Sequence, residues 1–247
     1  MSEVVVIIPA RYGSTRFPGK VLVPLWGKPL VQHAYESALA SGVGEVYVAT
    51  DDERVYEKVE EFGGKAILTD PSHPSGTDRV AEASEILNLD PETIIINLQA
   101  DQPLFPSEYF GTLVRVFEVC KGASVATLAA PIKDKEELNN PNKVKVVLNK
   151  QGFALYFSRS CIPYPRAELK SYEYLKHIGV YAYTKSFLST FVKLGEGDLE
   201  RIEKLEQLRV LEHGYKIGVA VVDSAPPEVD TPEDLDYILK NFKKPRR

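Results

Sequence analysis

The chain has little sulfur: among its 247 residues are two cysteines, Cys120 and Cys161, and one methionine. Two isolated cysteines exclude a disulfide framework and a thiolate metal site, and they suit a reducing cytoplasm. No apolar run reaches the roughly 18 residues of a membrane-spanning helix. The N-terminus enters an apolar strand without a basic stretch and long apolar core before it, so no signal peptide is expected. Cations are not in excess. Thirty Lys and Arg against 35 Asp and Glu give a net charge of -5, which argues against nucleic acid or an anionic membrane as the main partner. Low-complexity segments and solenoid-length repeats are also lacking. What is present is an ordinary globular balance, 44% hydrophobic and 26% charged. Such a chain builds one large α/β domain, or a domain with a smaller lobe.

One stretch near the start organises the rest. Val4 to Ile8 reads as a buried strand. It feeds the loop Pro9-Ala10-Arg11-Tyr12-Gly13-Ser14-Thr15-Arg16-Phe17-Pro18-Gly19-Lys20. Arg11, Arg16 and Lys20 bring positive charge, while Gly13 and Gly19 allow close backbone approach to an anion. The spacing is neither that of a P-loop nor that of a dinucleotide fingerprint. A solvated basic loop is the plain alternative. Position favours a polyphosphate site, because open α/β sheets bind ligands at the carboxyl ends of their strands.

Strands and helices alternate onward. A helix is expected over about 29–40, a strand over 45–49, a helix carrying Val55, Val59 and Phe62, and a strand over 65–68. Asp51 and Asp52 are N-cap candidates. The Pro- and Ser-rich loop Asp70–Arg79 precedes a helix that Thr77 or Asp78 would cap. Thr93–Leu98 reads as a central buried strand ending at Gln99-Ala100-Asp101-Gln102-Pro103. A helix from Ser107 and a strand over 123–129 follow. After Pro131 the pattern changes. Lys143–Leu148 and Phe153–Phe157 flank a turn and predict a hairpin. A short helix over 169–174, a strand over 177–183, one amphipathic helix over 200–213 and a strand over 217–222 complete the run. The final helix has Thr231 as N-cap, Pro232 at its first position and Leu235, Ile238, Leu239 and Phe242 as its apolar face. The tail from Lys243 is expected to fray.

Asp101 and Asp230 are the carboxylates best placed for a metal, and Mg²⁺ is commonly held by one or two carboxylates plus substrate phosphates. A turn role for Asp101 and a helix-capping role for Asp230 stand as alternatives. Taken singly, His177 reads as a strand histidine, Arg159 as a surface or salt-bridged residue, and Glu206 and Gln207 as a solvated helix face.

The loop Pro9–Lys20 closely resembles the signature of the CMP-sugar-acid synthetases. Ser75-Gly76-Thr77-Asp78-Arg79, Leu98–Pro103, Tyr156-Phe157-Ser158-Arg159, His177–Tyr181, Leu205-Glu206-Gln207-Leu208-Arg209 and Val229–Asp234 follow in the family's order. Together they resemble its 3-deoxy-D-manno-octulosonate (KDO) cytidylyltransferase branch over about residues 3–240. Ala100, where glycine is common in the family, and Cys161, where a small residue is usual, are departures. The resemblance implies a nucleotide-diphospho-sugar transferase-like α/β sandwich with a mostly parallel central sheet. It divides the single domain into a nucleotide-binding part over about 1–130, an antiparallel sugar-binding and dimerisation lobe over about 131–185, and a return to the core over 186–247. It also implies a cytoplasmic homodimer, CTP and KDO as substrates, and Mg²⁺ as cofactor. The anomeric 2-hydroxyl of KDO would attack the α-phosphorus, giving pyrophosphate and CMP-KDO for lipopolysaccharide.

By the same resemblance, Arg11, Ser14, Thr15, Arg16 and Lys20 hold the triphosphate. Pro9 and Ala10 offer backbone to cytosine. Ser75, Gly76, Asp78, Arg79 and Gln99 complete the nucleotide pocket, and Asp101 and Asp230 hold Mg²⁺. Arg159 would take the sugar carboxylate, and Gln99, His177, Tyr181, Glu206 and Gln207 the rest of KDO. Lys20, Arg11, Asp101 and Asp230 are the catalytic set. The rival readings are CMP-sialic acid synthesis, a sugar-phosphate nucleotidylyltransferase or glycosyltransferase, and a CTP-binding regulator that releases no pyrophosphate.

Overall fold

The computed structural model describes residues 3–13, 17–166 and 172–243. Ser14, Thr15 and Arg16, part of the expected helix over 169–174, and the tail beyond Lys243 lie outside them. The chain forms two compact units, one of residues 1–111 and 226–247, the other of residues 112–225.

The first unit starts with β1 (Val4–Pro9), whose Val5, Val6, Ile7 and Ile8 are all buried. A 3-10 turn, Lys20–Leu22, and the two-residue strands β2 (Pro24–Leu25) and β3 (Lys28–Pro29) follow the basic loop. Then α1 (Leu30–Ser41), β4 (Glu45–Thr50), α2 (Glu53–Glu61), β5 (Ala66–Leu68), α3 (Gly76–Ile86) and β6 (Ile94–Asn97) alternate as the apolar patterning predicts. The strands pair in parallel in the order β6-β1-β4-β5. β6 is buried along its whole length, the mark of a central strand covered on both faces. Asp52 caps α2. The cap of α3 corrects the expectation of Thr77 or Asp78: it is Ser75, whose hydroxyl accepts from the Asp78 amide.

Helix α4 (Glu108–Val119) runs from the first unit into the second. There β7 (Val125–Pro131), α5 (Lys135–Asn139), β8 (Lys145–Leu148), β9 (Ala154–Ser158), β10 (Leu175–Thr184), α6 (Lys185–Phe191), α7 (Asp198–Glu203), α8 (Leu208–Glu212) and β11 (Ile217–Val221) follow. The expected hairpin is present, β8 and β9 pairing antiparallel. β10 pairs antiparallel with both β8 and β7, and β11 runs parallel to β7. The architecture is thus mixed α/β, mostly parallel with a smaller antiparallel part. The 131–185 lobe of the sequence reading covers only part of this second unit.

Three expectations are corrected here. Residues 172–174 are not helical; they lead directly into β10. The single helix over 200–213 is two, because Lys204 turns left-handed at φ 52° and ends α7. In the last helix, α9 (Pro232–Asn241), Ile238 is buried against Leu25, Leu30 and Val229 with Leu235 beside it, but Leu239 and Phe242 are exposed. Thr231 and Pro232 start that helix as expected, in a capping box with Asp234. Among the described residues no helix is long and apolar enough to cross a membrane.

Candidate active site

The basic loop leaves β1 and is drawn shut at its far end. Gly19 sits at φ 68° and donates its N–H to the Tyr12 carbonyl at 2.9 Å. A Cβ at Gly19 would come within 3.1 Å of the Tyr12 ring, so glycine serves both the backbone turn and the close approach. The Arg54 guanidinium stacks 3.5 Å from the centre of that ring and is forked onto Asp52, the cap of α2. This closure delivers Lys20 to its position.

Lys20 Nζ donates to Asp101 Oδ2 at 2.6 Å, to Asp230 Oδ1 at 3.2 Å and to the Val229 carbonyl at 3.2 Å. Both carboxylates thus face Lys20. Asp230 does not cap the last helix, since Thr231 and Asp234 do so, and its carboxylate turns to Lys20. Asp101 spends an oxygen on Lys20, while the turn around it is closed by the Gln102 amide on the Gln99 carbonyl. The Val229 amide donates to the Asp101 carbonyl at 2.9 Å and joins the two segments that carry the acids. Burial works to lower the Lys20 pKa, but Asp101 and Asp230 outweigh it and hold the ammonium above its ordinary value. Burial pushes the Asp101 carboxyl up, against the pull of Lys20.

These groups line a cavity of about 280 Å³ with Pro9, Arg11, Ser75, Gly76, Arg79 and Gln99. The first turn of α3 faces it, so backbone N–H groups and the helix dipole favour an anion there. Gly76 lets α3 approach β1: a Cβ would meet Pro9 Cγ at 3.3 Å and Gln99 Oε1 at 3.8 Å. The Ala10 N–H is already given to the Ala49 carbonyl, so Pro9 and Ala10 can offer only carbonyls to a base. Gln99 gives its amide nitrogen to Asn97 Oδ1. Arg79 is almost wholly buried, pairing with Asp51 at 2.9 Å and donating to Thr69. Asp78 accepts from the Ser75 hydroxyl at 2.6 Å. The two therefore brace the pocket wall. His73 also lines the cavity, held by Glu82 at 2.6 Å. It is a site residue the sequence does not single out; its one signal there is a histidine in a Pro- and Ser-rich loop just before a ligand-facing helix.

The remaining predicted residues lie in the second unit. Tyr181, Glu206 and Gln207 line one small pocket with Tyr183, Phe191 and Val210. His177 stands beside them, its ring 5.4 Å from that of Tyr181 and edge-on to Phe157. The Thr127 hydroxyl lies 2.7 Å from the Val180 carbonyl and 3.0 Å from His177 Nε2. Its one proton goes to the carbonyl, so His177 donates from Nε2 and keeps a lone pair on Nδ1. Burial lowers the His177 pKa to about 3, so the ring stays neutral. Gln207 is buried, against the expectation of a solvated face, because the chain turns at Lys204. Arg159 donates from Nε, Nη1 and Nη2 to the carbonyls of Glu203, Pro141 and Lys204. Cys120 and Cys161 are both free thiols.

Comparison with known proteins gives the family of the chain. A family model described as cytidylyltransferase matches residues 5–217. An 8-amino-3,8-dideoxy-manno-octulosonate cytidylyltransferase of Shewanella woodyi is 53% identical over 94% of this chain and 96% of its own. The enzyme of the same name from Shewanella sediminis is 52% identical with the same coverage. The solved structure of a CMP:2-keto-3-deoxy-manno-octonic acid synthetase complexed with CTP superposes with a TM-score of 0.90 at 45% identity, covering 97% of this chain and 98% of that one. A cytidylyltransferase structure from Leptospira borgpetersenii, at 20% identity and a TM-score of 0.64, shares the fold. The chain belongs to the cytidylyltransferase family.

Proposed function

We propose that the protein transfers CMP from CTP to the anomeric 2-hydroxyl of an eight-carbon 3-deoxy-octulosonic acid, KDO or its 8-amino form. The hydroxyl gives its proton to solvent and its oxygen forms a bond to the α-phosphorus, the bond from that phosphorus to the bridging oxygen breaks, and pyrophosphate leaves. The observation that carries this reading is the Lys20–Asp101–Asp230 cluster at a cavity that also holds Arg11 and the first turn of α3. Phosphoryl chemistry needs positioning and charge neutralisation above all, and this cluster supplies both.

A Mg²⁺ requirement belongs to the proposal. Among the described residues no three His, Cys, Asp or Glu side chains group as a metal site. Two carboxylates do converge on one cation position, which the Lys20 ammonium fills. Hard oxygen donors of that number suit Mg²⁺ completed by triphosphate oxygens. When bound, Mg²⁺ would act as a Lewis acid at the phosphate and lower the pKa of the attacking hydroxyl. Lys20 then turns its charge to the triphosphate, together with Arg11. Ser14, Thr15 and Arg16 join them in this reading.

For the acceptor, Arg159 takes the carboxylate, and Tyr181, Glu206, Gln207 and His177 read hydroxyls. The names of the Shewanella relatives favour the 8-amino acid; the name of the CTP-bound neighbour favours KDO. Supply of a sugar nucleotide for lipopolysaccharide, a cytoplasmic location and a homodimer complete the proposal. Pyrophosphate release tests it, with CTP, Mg²⁺ and a panel of KDO, the 8-amino acid and N-acetylneuraminate. Release with either eight-carbon acid and none with the nine-carbon acid is the expected result. CTP binding with no release for any acid would favour the regulator instead.

A further inference from the structure

Lys145 opens β8 and is completely buried, one of the largest side chains to be so. Burying an ammonium is costly unless its hydrogen bonds are supplied. Here they come from main-chain carbonyls: that of Asn140 at 2.9 Å and that of Arg159 at 2.6 Å. Across the β8–β9 ladder, Lys145 lies opposite Ser158. Ser158 and the Arg159 amide both donate to the Glu203 carboxylate, at 2.6 and 2.9 Å. The residue Arg159 is therefore gripped on both sides of its Cα, its N–H by a carboxylate and its C=O by an ammonium.

The guanidinium is fixed as well. Its Nε, Nη1 and Nη2 donate to the carbonyls of Glu203, Pro141 and Lys204 at 2.6, 3.0 and 3.2 Å. Of five N–H groups, three are engaged this way, one from each nitrogen. Each terminal nitrogen carries a second N–H beyond these three, and a guanidinium can offer such groups to a carboxylate. The left-handed turn at Lys204 aims one of the three carbonyls, so the break between α7 and α8 is part of the same grip.

We propose that Lys145, acting with Glu203, is a positioning residue for acceptor recognition: it fixes Arg159 so that the guanidinium is presented to the carboxylate of the sugar acid. This rests on the proposed function and deepens it. Preorganising a charged clamp reduces what must be ordered on binding. The effect belongs in KM for the acid rather than in KM for CTP.

The test is a double-mutant cycle on the full-length enzyme, read as separate KM values for CTP and for the sugar acid, with thermal melting to confirm folding. Lys145→Met is expected to raise KM for the acid by about tenfold or more and to move KM for CTP less than about twofold. In an Arg159→Ala background, Lys145→Met is expected to add nothing. Should Lys145→Met not fold, Glu203→Gln, which alters the other half of the grip at a half-buried carboxylate, is measured in the same cycle with the same expectations. A folded variant with unchanged KM for the acid, or with the same increase in the Arg159→Ala background, overturns the inference while leaving the function intact. If Arg159→Ala itself does not change KM for the acid, or no acid is accepted by the unaltered enzyme, the functional reading fails and the inference falls with it.

Discussion

The amide of Val229 donates to the carbonyl of Asp101 at 2.9 Å, joining two segments more than a hundred residues apart in sequence. That single backbone bond sets the two carboxylates beside each other. Lys20 then bridges them, so like charges are held together by a cation that the chain itself provides.

Asp101→Asn and Asp230→Asn each remove one anionic oxygen donor while preserving size. Each is expected to lower kcat at least ~10²-fold, the scale of losing one transition-state charge contact. Melting temperature should change little, since each carboxylate is partly exposed and Lys20 keeps its other partner. Steady-state rates at saturating CTP check this; near-normal turnover would remove that residue from the site.

Lys20→Ala leaves Asp101 and Asp230 facing each other without their shared cation. The expected loss in kcat/KM for CTP is again ~10²-fold or more. A rate equal to that of the unaltered protein would place the phosphate charge contact elsewhere.

Gly19→Ala tests the loop closure. Its φ of 68° costs a non-glycine residue about 1–2 kcal/mol, and the added Cβ would press on the Tyr12 ring at 3.1 Å. The expected outcome is a raised KM for CTP and a modest fall in melting temperature. An unchanged KM would separate the loop from nucleotide binding.

Asp51→Ala strips the charged partner from Arg79, which is almost fully buried and keeps only its Thr69 contact among the described residues. Breaking a buried pair from one side costs about 3–5 kcal/mol. Denaturant titration should show a loss of that size, and a loss below about 1 kcal/mol would mean that Arg79 finds another acceptor.

His177 gives a pH signature. Its pKa is about 3 in the folded protein, because burial opposes the charged ring, against about 6.5 for an unstrained histidine. Below about pH 6.5 the unfolded chain takes a proton that the folded one refuses. Stability from this residue is therefore complete above that pH and is lost as pH falls towards about 3. The slope is at most about 1.4 kcal/mol per pH unit. His177→Gln should flatten that part of the stability curve; an unaltered slope between pH 4 and 6 would contradict the burial effect.

The parallel strands β1, β4, β5 and β6 were legible because each is a short, largely apolar run and helical patterns separate them. Asp101 could be placed because it follows the β-branched run Thr93–Leu98, which is apolar apart from Thr93 and Asn97. Asp230 could not be assigned from residues alone, since it stands beside a true capping box at Thr231 and Asp234. Ser75, Thr77 and Asp78 are all good cap residues, and only the backbone shows that Ser75 takes the role. The break at Lys204 left no trace in the pattern, because Ile202, Leu205 and Leu208 keep helical spacing across it and no glycine marks the turn. Ile202 is in fact mostly exposed. Lys145 was hidden for a related reason: a lysine at the start of a half-apolar strand reads as an edge residue, and its burial depends on the carbonyls of Asn140 and Arg159.

The most direct test is to identify the products by mass spectrometry after incubation with CTP, Mg²⁺ and either KDO or its 8-amino form, with Asp101→Asn as the paired control. The account predicts a CMP-sugar diester and equimolar pyrophosphate from the unaltered protein, with neither above trace in the variant. Bound but intact CTP with both acids, or equal product from the variant, would contradict it.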